Sequence, residues 1–389
     1  MPTDLQATLE MLTAQPSTEH PYLSVYLDWR PDGNSVRGAV RELENQFATI
    51  EARLKERDAD LESFNIDRQR IMEYVSKEAP VDAQGLAIFA CDAESIWEAI
   101  PLQAPVETKI VEGRFPQTFS LARIMDDYET YAVVLADAQD SRILVVSLNQ
   151  AEQVASTEAD EKIKRVATGG PAQMIFQRRT ENVIKAHTKD IADQLGRIIK
   201  RYDVQHVIIA GNDSIKGIVL DSLPKTIQDK LVDYITLDIS GNMQSIMEAI
   251  EPLMHDVEAQ QEADDLAHLE EQVGANRLGV VGVADTAMAM TKGQVQTLIM
   301  HQNFNATGGE CPNCGAIRAG MRPMCPYDGT EMQQVDLREL FTARALQQSS
   351  AIQVVEASDF LDQHEGVGAV LRWREDAEAD PQPTEAGAG

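Results

Sequence analysis

Two apolar runs on either side of a long helical pattern constrain this chain more than any other feature. Tyr131-Ala132-Val133-Val134-Leu135-Ala136 reads as a buried strand, and Val204-Gln205-His206-Val207-Ile208-Ile209-Ala210-Gly211 reads as another. Between them Phe176, Ile184, Ile191, Leu195 and Ile198 recur at the spacing of one helix face. Strands joined through a helix return side by side in parallel, so this region predicts an α/β layer fold. Ser141-Arg142-Ile143-Leu144-Val145-Val146, after the short turn Ala138-Gln139-Asp140, adds a hairpin to the first strand.

At 389 residues the chain exceeds one ordinary core, and two or three domains are expected. Upstream, Tyr22 to Leu27 and Gly85 to Ala90 read as strands. Helical patterns run from Val36 to about Leu61 and around Arg68 to Glu78, and Pro101, Pro105 and Pro116 punctuate the exit. Downstream, an acidic helical stretch from about Met243 to Glu271 leads to strands at Gly279-Val280-Val281 and Val295 to Met300. A helix is expected around Asp285 to Met290, and Ile352 to Val355 resumes the pattern. The domains expected are 1–125, 126–250 and 251–375, with residues 376–389 as a disordered acidic tail. No apolar run reaches the length of a membrane span, and Met1-Pro2-Thr3-Asp4 lacks the basic start of a secretory signal, so a cytoplasmic protein is expected.

The net charge of −29 argues against binding a polyanion unless positive charge is concentrated locally. Lys162, Lys164, Arg165, Arg178, Arg179, Lys185, Lys189, Arg197, Lys200 and Arg201 stand against only Glu181, Asp190 and Asp193. That segment carries +7 and leaves −36 for the rest. A basic helix is ordinarily a solvated face; the contrast with an acidic chain points to a polyanion contact here. At its head lies Gly169-Gly170-Pro171-Ala172-Gln173. Two glycines allow close approach to a partner, and Pro171 suits a first helical position, so the loop reads either as a plain helix start or as an anion-facing tip. No Ser-His-Asp, Cys-His or paired-carboxylate constellation is legible, and the histidines are scattered.

Three of the four cysteines fall in a repeated C-P-x-x-G pattern, Cys311-Pro312-Asn313-Cys314-Gly315 and Cys325-Pro326-Tyr327-Asp328-Gly329. Turns of this kind aim backbone N–H groups at thiolates, and two facing turns make a zinc ribbon, here at about 308–332. Asp328 takes the place of a fourth cysteine. A structural Cys3Asp zinc site of Cys311, Cys314, Cys325 and Asp328 is expected, against the alternative of a metal-free ribbon held by apolar contacts. Cys91, at a strand end, reads as a small buried residue rather than a ligand.

In this order the features resemble the archaeal and eukaryotic class-1 release factor and Pelota superfamily and its bacterial relatives, over nearly the whole chain. The first strands resemble the family's N-terminal domain, and the hairpin, Gly-Gly loop and basic helix its middle domain. Gly366-Val367-Gly368-Ala369-Val370-Leu371-Arg372-Trp373-Arg374 is similar to the family's third-domain ending. The resemblance implies a three-domain α/β, release-factor/Pelota-like architecture with a zinc-ribbon insertion in the third domain.

Two departures bear on function. The family's catalytic Gly-Gly-Gln is replaced by Gly169-Gly170-Pro171, with the first glutamine at Gln173. No Asn-Ile-Lys-Ser stop-codon motif exists beyond the partial match Asn65-Ile66-Asp67-Arg68. The resemblance therefore implies a Balon-like hibernation or rescue factor, not an enzyme, that binds the ribosomal A site without decoding stop codons. Gly169, Gly170 and Pro171 would lie near the peptidyl transferase centre, with Lys162, Lys164, Arg165, Arg178, Arg179, Lys185 and Lys189 on rRNA. The implied partners are the ribosome, an EF-Tu-like GTPase and tRNA. Two alternatives stay open: a peptidyl-tRNA hydrolase in which Gln173 orients water, and a zinc-ribbon interaction module acting away from the ribosome.

Overall fold

The computed structural model describes residues 5–15, 18, 20–30, 35–57, 61–137, 140–147, 150–158, 171–237, 241–321 and 323–374. The chain divides into two compact units. One joins Met1–Asp127 to Gln261–Gly389; the other is Tyr128–Gln260. The first and third expected domains therefore share one unit, and the boundaries fall at Asp127/Tyr128 and Gln260/Gln261.

In the first unit the chain opens with α1 (Leu5–Thr13), β1 (Tyr22–Asp28), α2 (Ser35–Glu56), α3 (Leu61–Lys77), β2 (Gly85–Cys91), β3 (Ile96–Leu102), β4 (Lys109–Gly113) and α4 (Phe119–Asp127). The strands form an antiparallel sheet in the order β3-β2-β1-β4. Leu23, Val25 and Leu27 alternate onto one face and bury against Leu43, Phe47, Ile50 and Leu54 of α2 and Phe64, Ile71 and Val75 of α3. Pro101 does not end this region but sits in β3, an edge strand, where its missing N–H breaks no interior ladder. The Asn65-Ile66-Asp67-Arg68 segment is interior to α3, and Cys91 is fully buried.

The second unit holds β5 (Tyr131–Ala136), β6 (Asp140–Ser147), β7 (Gln150–Glu158), α5 (Pro171–Tyr202), β8 (His206–Gly211), α6 (Lys216–Ser222), α7 (Lys225–Gln228), β9 (Leu231–Thr236) and the first part of α8 (Met243–Gly274). The sheet order is β7-β6-β5-β8-β9. β8 runs parallel to both β5 and β9, as the strand-helix-strand pattern requires, while β6 and β7 are antiparallel additions. The edge strand β7 carries the acidic residues Glu152 and Glu158. Ala132, Val134, Val207 and Ile209 face Ile184, Ile191, Leu195 and Ile198 of α5. Tyr131, Val133, Leu135 and Ile208 face Ile246, Ile250 and Met254 of α8. Both faces of the sheet are covered, which is why its central strands are continuous apolar runs.

The C-terminal part of the first unit comprises β10 (Gly279–Val281), α9 (Val283–Thr291), β11 (Val295–His301), β12 (Thr307–Glu310), β13 (Ile317–Ala319), β14 (Gln333–Asp336), α10 (Leu337–Gln347), β15 (Ala351–Val355), α11 (Asp359–Asp362) and β16 (Val367–Leu371). The main sheet is ordered β10-β16-β11-β15, and β13-β12-β14 is a separate small antiparallel sheet that carries the cysteines. Phe119 of α4 joins the apolar core of this part with Leu298, Met300, Leu337 and Phe341. None of the described helices is long and apolar enough to cross a membrane.

Candidate functional site

Helix α5 starts at Pro171, where a fixed φ and a missing N–H suit the first helical turn. Gly169, Gly170, Lys162, Lys164 and Arg165 lie outside the described residues. Pro171, Gln173 and Arg179 are described as helical backbone alone. Ile184, Ile191, Leu195 and Ile198 are buried, so the opposite face of the helix is turned outward. Arg178, Lys185 and Lys189 lie on that outward side and are exposed, as are Arg197, Lys200 and Arg201. Over Pro171–Tyr202 seven basic residues meet three acids, a net +4 on a chain of −29. Along one flank a groove of about 270 Å³ is lined by Val154 and Ala155 of β7 and by Arg197, Ile198, Arg201 and Tyr202 of α5. The Arg201 guanidinium stands 5.4 Å from the Tyr202 ring centroid.

The second constellation is the cysteine ribbon. Gly315 (φ 71°) and Gly329 (φ 73°) adopt the left-handed region that closes each C-P-x-x-G turn. The N–H of Gly315 donates to the Cys311 carbonyl at 2.9 Å, and that of Gly329 to the Cys325 carbonyl at 3.0 Å. These two equivalent turns bring Cys311, Cys314, Cys325 and Asp328 together, with all ligand atoms within 4.8 Å of one another. Cys314 Sγ is 3.5 Å from Cys325 Sγ, and Cys311 Sγ is 3.4 Å from Asp328 Oδ2. Thiolates around tetrahedral zinc stand about 3.8 Å apart for Zn–S bonds of about 2.3 Å. The spacing and the donor set therefore fit a metal of that type. Cys311 and Cys325 are buried, while Cys314 and Asp328 open to solvent.

Burial pushes the Cys311 thiol up, but donors from the Cys314 and Asn313 backbones and from the neighbouring thiols outweigh it and hold the group below its usual range. Cys314 is pushed up to about 12, first by desolvation and then by its side-chain hydrogen bonds to Cys311, Cys325 and Asp328. Asp328 is held well below the usual carboxylate range by the Thr330 N–H at 2.9 Å and the Asn313 amide at 3.0 Å. A cation held here would take the place of the thiol protons that these groups share in hydrogen bonds. Arg344 of α10 pairs with Glu310 at 2.7 Å and donates to the Gly315 carbonyl at 3.3 Å, which anchors the first turn.

Two functional groups have no signature in the sequence. Asn313 and Thr330, which orient Asp328, are unremarkable turn residues until the two turns face each other.

Residues 116–253 match the model of bacterial archaeo-eukaryotic release factor family 10. An uncharacterized protein of Mycobacterium tuberculosis, present in two strains, is 23% identical over 370 residues, covering 92% of this chain and 94% of its own. Among solved structures, an archaeal translation termination factor is 16% identical and aligns with 95% of this chain and 97% of its own, at a TM-score of 0.27. Dom34 of Saccharomyces cerevisiae, described as a translation termination-like factor, is 12% identical over 75% of this chain and 81% of its own, at 0.39. A ribosome-bound archaeal Pelota is 16% identical over 72% and 73%, at 0.41. The family match spans the α5-bearing unit almost end to end. Over that segment the chain is similar to the bacterial archaeo-eukaryotic release factors of family 10.

Proposed function

We propose that this protein is a cytosolic translation factor that occupies the ribosomal A site in hibernation or rescue, without decoding stop codons and without cleaving peptidyl-tRNA. The observation that carries the reading is the outward basic side of α5, a net +4 on a chain of −29, in the segment that matches the release factor family. Such a helix concentrates the positive charge that RNA contact needs, while the acidic remainder suppresses non-specific binding. Lys162, Lys164, Arg165, Arg178, Arg179, Lys185 and Lys189 are assigned to rRNA, and Gly169, Gly170 and Pro171 to the approach to the peptidyl transferase centre. The displaced glutamine at Gln173 favours positioning over catalysis. A GTPase of the EF-Tu type is the assigned delivery partner, and tRNA a neighbour at the site.

Cys311, Cys314, Cys325 and Asp328 are assigned to a structural zinc. When bound, the metal supplies a cross-link between the two C-P-x-x-G turns and no open coordination position. The β13-β12-β14 sheet sets the spacing of those turns, and Asn313 and Thr330 orient the carboxylate.

Sedimentation of lysates from growing and from stressed cells tests the reading. Co-migration with ribosomes under stress is expected; absence from the ribosomal fractions under both conditions overturns it. Release of peptide from stalled complexes that is lost in Gln173→Ala would replace it with the hydrolase. Reversal of charge at Arg178 and Arg179 that leaves all partner binding intact would favour a zinc-ribbon interaction module acting away from the ribosome.

A further inference from the structure

Gly196 lies inside α5, about seven turns after Pro171 and six residues before Tyr202, yet nothing in the fold asks for glycine there. It is absent from the left-handed positions, which are Gly282, Gly293, Gly315, Gly320, Gly329 and Gly366. A Cβ built on it meets no atom within 4 Å. A glycine in a helix interior is destabilising relative to alanine because it loses more backbone freedom on folding. The residue therefore weakens the helix without serving its conformation or its packing among the described residues.

Its position along the helix is informative. At about 100° per residue, Arg178, Lys185, Lys189 and Lys200 all fall within about 40° of Gly196 around the axis. Lys189 is about 10 Å before it and Lys200 about 6 Å after it along the axis. All four cations are exposed, and none has an ion-pair partner among the described residues. The acids Asp190 and Asp193 lie toward the flank that holds Arg197 and Arg201, where Arg197 Nε donates to the Asp193 carbonyl at 3.2 Å. A line of lysines and an arginine interrupted by one missing side chain is a surface on which a polyanion can come down to the helix backbone.

We propose that Gly196 is the point of closest approach for the sugar-phosphate backbone of an RNA strand, with Lys189 and Lys200 on phosphates to either side. The inference rests on the ribosomal reading above and names the contact within it. The charge on both sides selects a polyanion over an apolar protein helix, the other partner for which a small residue makes room.

The test uses the full-length protein, vacant ribosomes and protein-stripped large-subunit rRNA, with affinities measured at fixed salt. Gly196→Ala is expected to raise the melting temperature by about 2–4 °C and to weaken binding to both probes by about fivefold or more. Gly196→Leu weakens binding further, and Lys225→Ala, which removes an exposed charge elsewhere in the same unit, leaves it unchanged. Wild-type affinity in Gly196→Leu overturns the inference and leaves the ribosomal reading standing. A lowered melting temperature in Gly196→Ala overturns it too, since the glycine would then serve the fold. Loss on ribosomes without loss on stripped rRNA assigns the contact to a protein and overturns it as well. Failure of the wild-type chain to bind ribosomes removes the functional reading itself, and this contact with it.

Discussion

The backbone N–H of Phe119 donates to Glu339 Oε2 at 2.9 Å across 220 residues of sequence, and so ties the start of α4 to α10. Glu339 is 2% exposed, and burial raises its carboxyl above the usual range against the opposing pull of the Phe119 N–H, Lys109 and Arg338. Burial likewise holds the Lys109 amine below its usual range, and its Nζ stands 5.2 Å from the Tyr26 ring. The Tyr26 hydroxyl in turn donates to the Gln117 carbonyl at 2.8 Å. Removing one member of such a cluster leaves the others buried and uncompensated. Glu339→Ala is expected to destabilise this unit by about 3 kcal/mol or more. Glu339→Gln, which keeps an acceptor for Phe119, should cost less. Trp29, Trp97 and Trp373 all belong to this unit, so urea unfolding followed by tryptophan fluorescence reads the difference.

Asp67 of α3 gives a pH dependence of definite sign. Burial, joined by repulsion from Asp92, pushes its carboxyl up to about 6 even though it accepts the Asp92 N–H at 3.0 Å. The folded state therefore holds this proton more tightly than the unfolded chain. Its stabilising contribution is complete below about pH 4 and is lost as the pH rises through about 6. Wild-type stability should fall relative to Asp67→Asn over that interval, by about 2 kcal/mol in total. Parallel stability curves from pH 4 to 7 would show that the carboxyl titrates as it does in the unfolded chain.

What could be read in advance followed local periodicity. The β5-α5-β8 crossover and the buried stripe of Ile184, Ile191, Leu195 and Ile198 rest on spacing alone, and the ribbon cysteines rest on a repeated turn motif. β3 and β4 escaped because proline in an edge strand looks like a loop signal, and because β4 is only half-buried along its length. α4 escaped because Phe119 packs with Leu337 and Phe341, over two hundred residues away, which no window along the chain contains. Asp67 looked like part of a chance motif, because its burial depends on how α3 lies against β2. In α5 the charged residues were visible, but the gap among them at Gly196 carries meaning only once the surrounding space is known to be open.

The ribbon yields a prediction about metal content. Purified full-length protein should carry about one zinc per chain by elemental analysis, in keeping with a single four-ligand set. Cys325→Ser removes a buried ligand and should abolish retention through chelation by EDTA. Asp328→Ala should weaken retention without abolishing it, because three thiolates remain. Asp328→Cys should restore or tighten it, since its Sγ completes a four-thiolate set. Equal metal content in wild type and Cys325→Ser would remove the metal from this site and leave the ribbon to its apolar contacts among Cys311, Ala316, Cys325 and Met332.

The outward side of α5 also makes a quantitative prediction about salt. Each phosphate neutralised by a lysine releases condensed counterions, so the slope of log affinity against log salt counts the contacts, at about 0.7 to 0.9 per phosphate. Lys185 and Lys189 are exposed, without an ion-pair partner among the described residues, and one helical turn apart. Lys189→Ala should therefore weaken ribosome binding and lower the slope by about one, and Lys185→Ala with Lys189→Ala by about two. Neither change should shift the melting temperature by more than about 1 °C, because surface substitutions away from packed groups alter stability by about 0.5 kcal/mol or less. Lys225, paired with Asp229 at 2.7 Å on α7, supplies the control: its removal takes away the same charge but should leave the slope where it was. A slope that falls equally in all three variants would mean that α5 acts through net charge alone. A slope that falls only for the α5 lysines places phosphates along that helix, which is what a docking face must do and a merely solvated face does not.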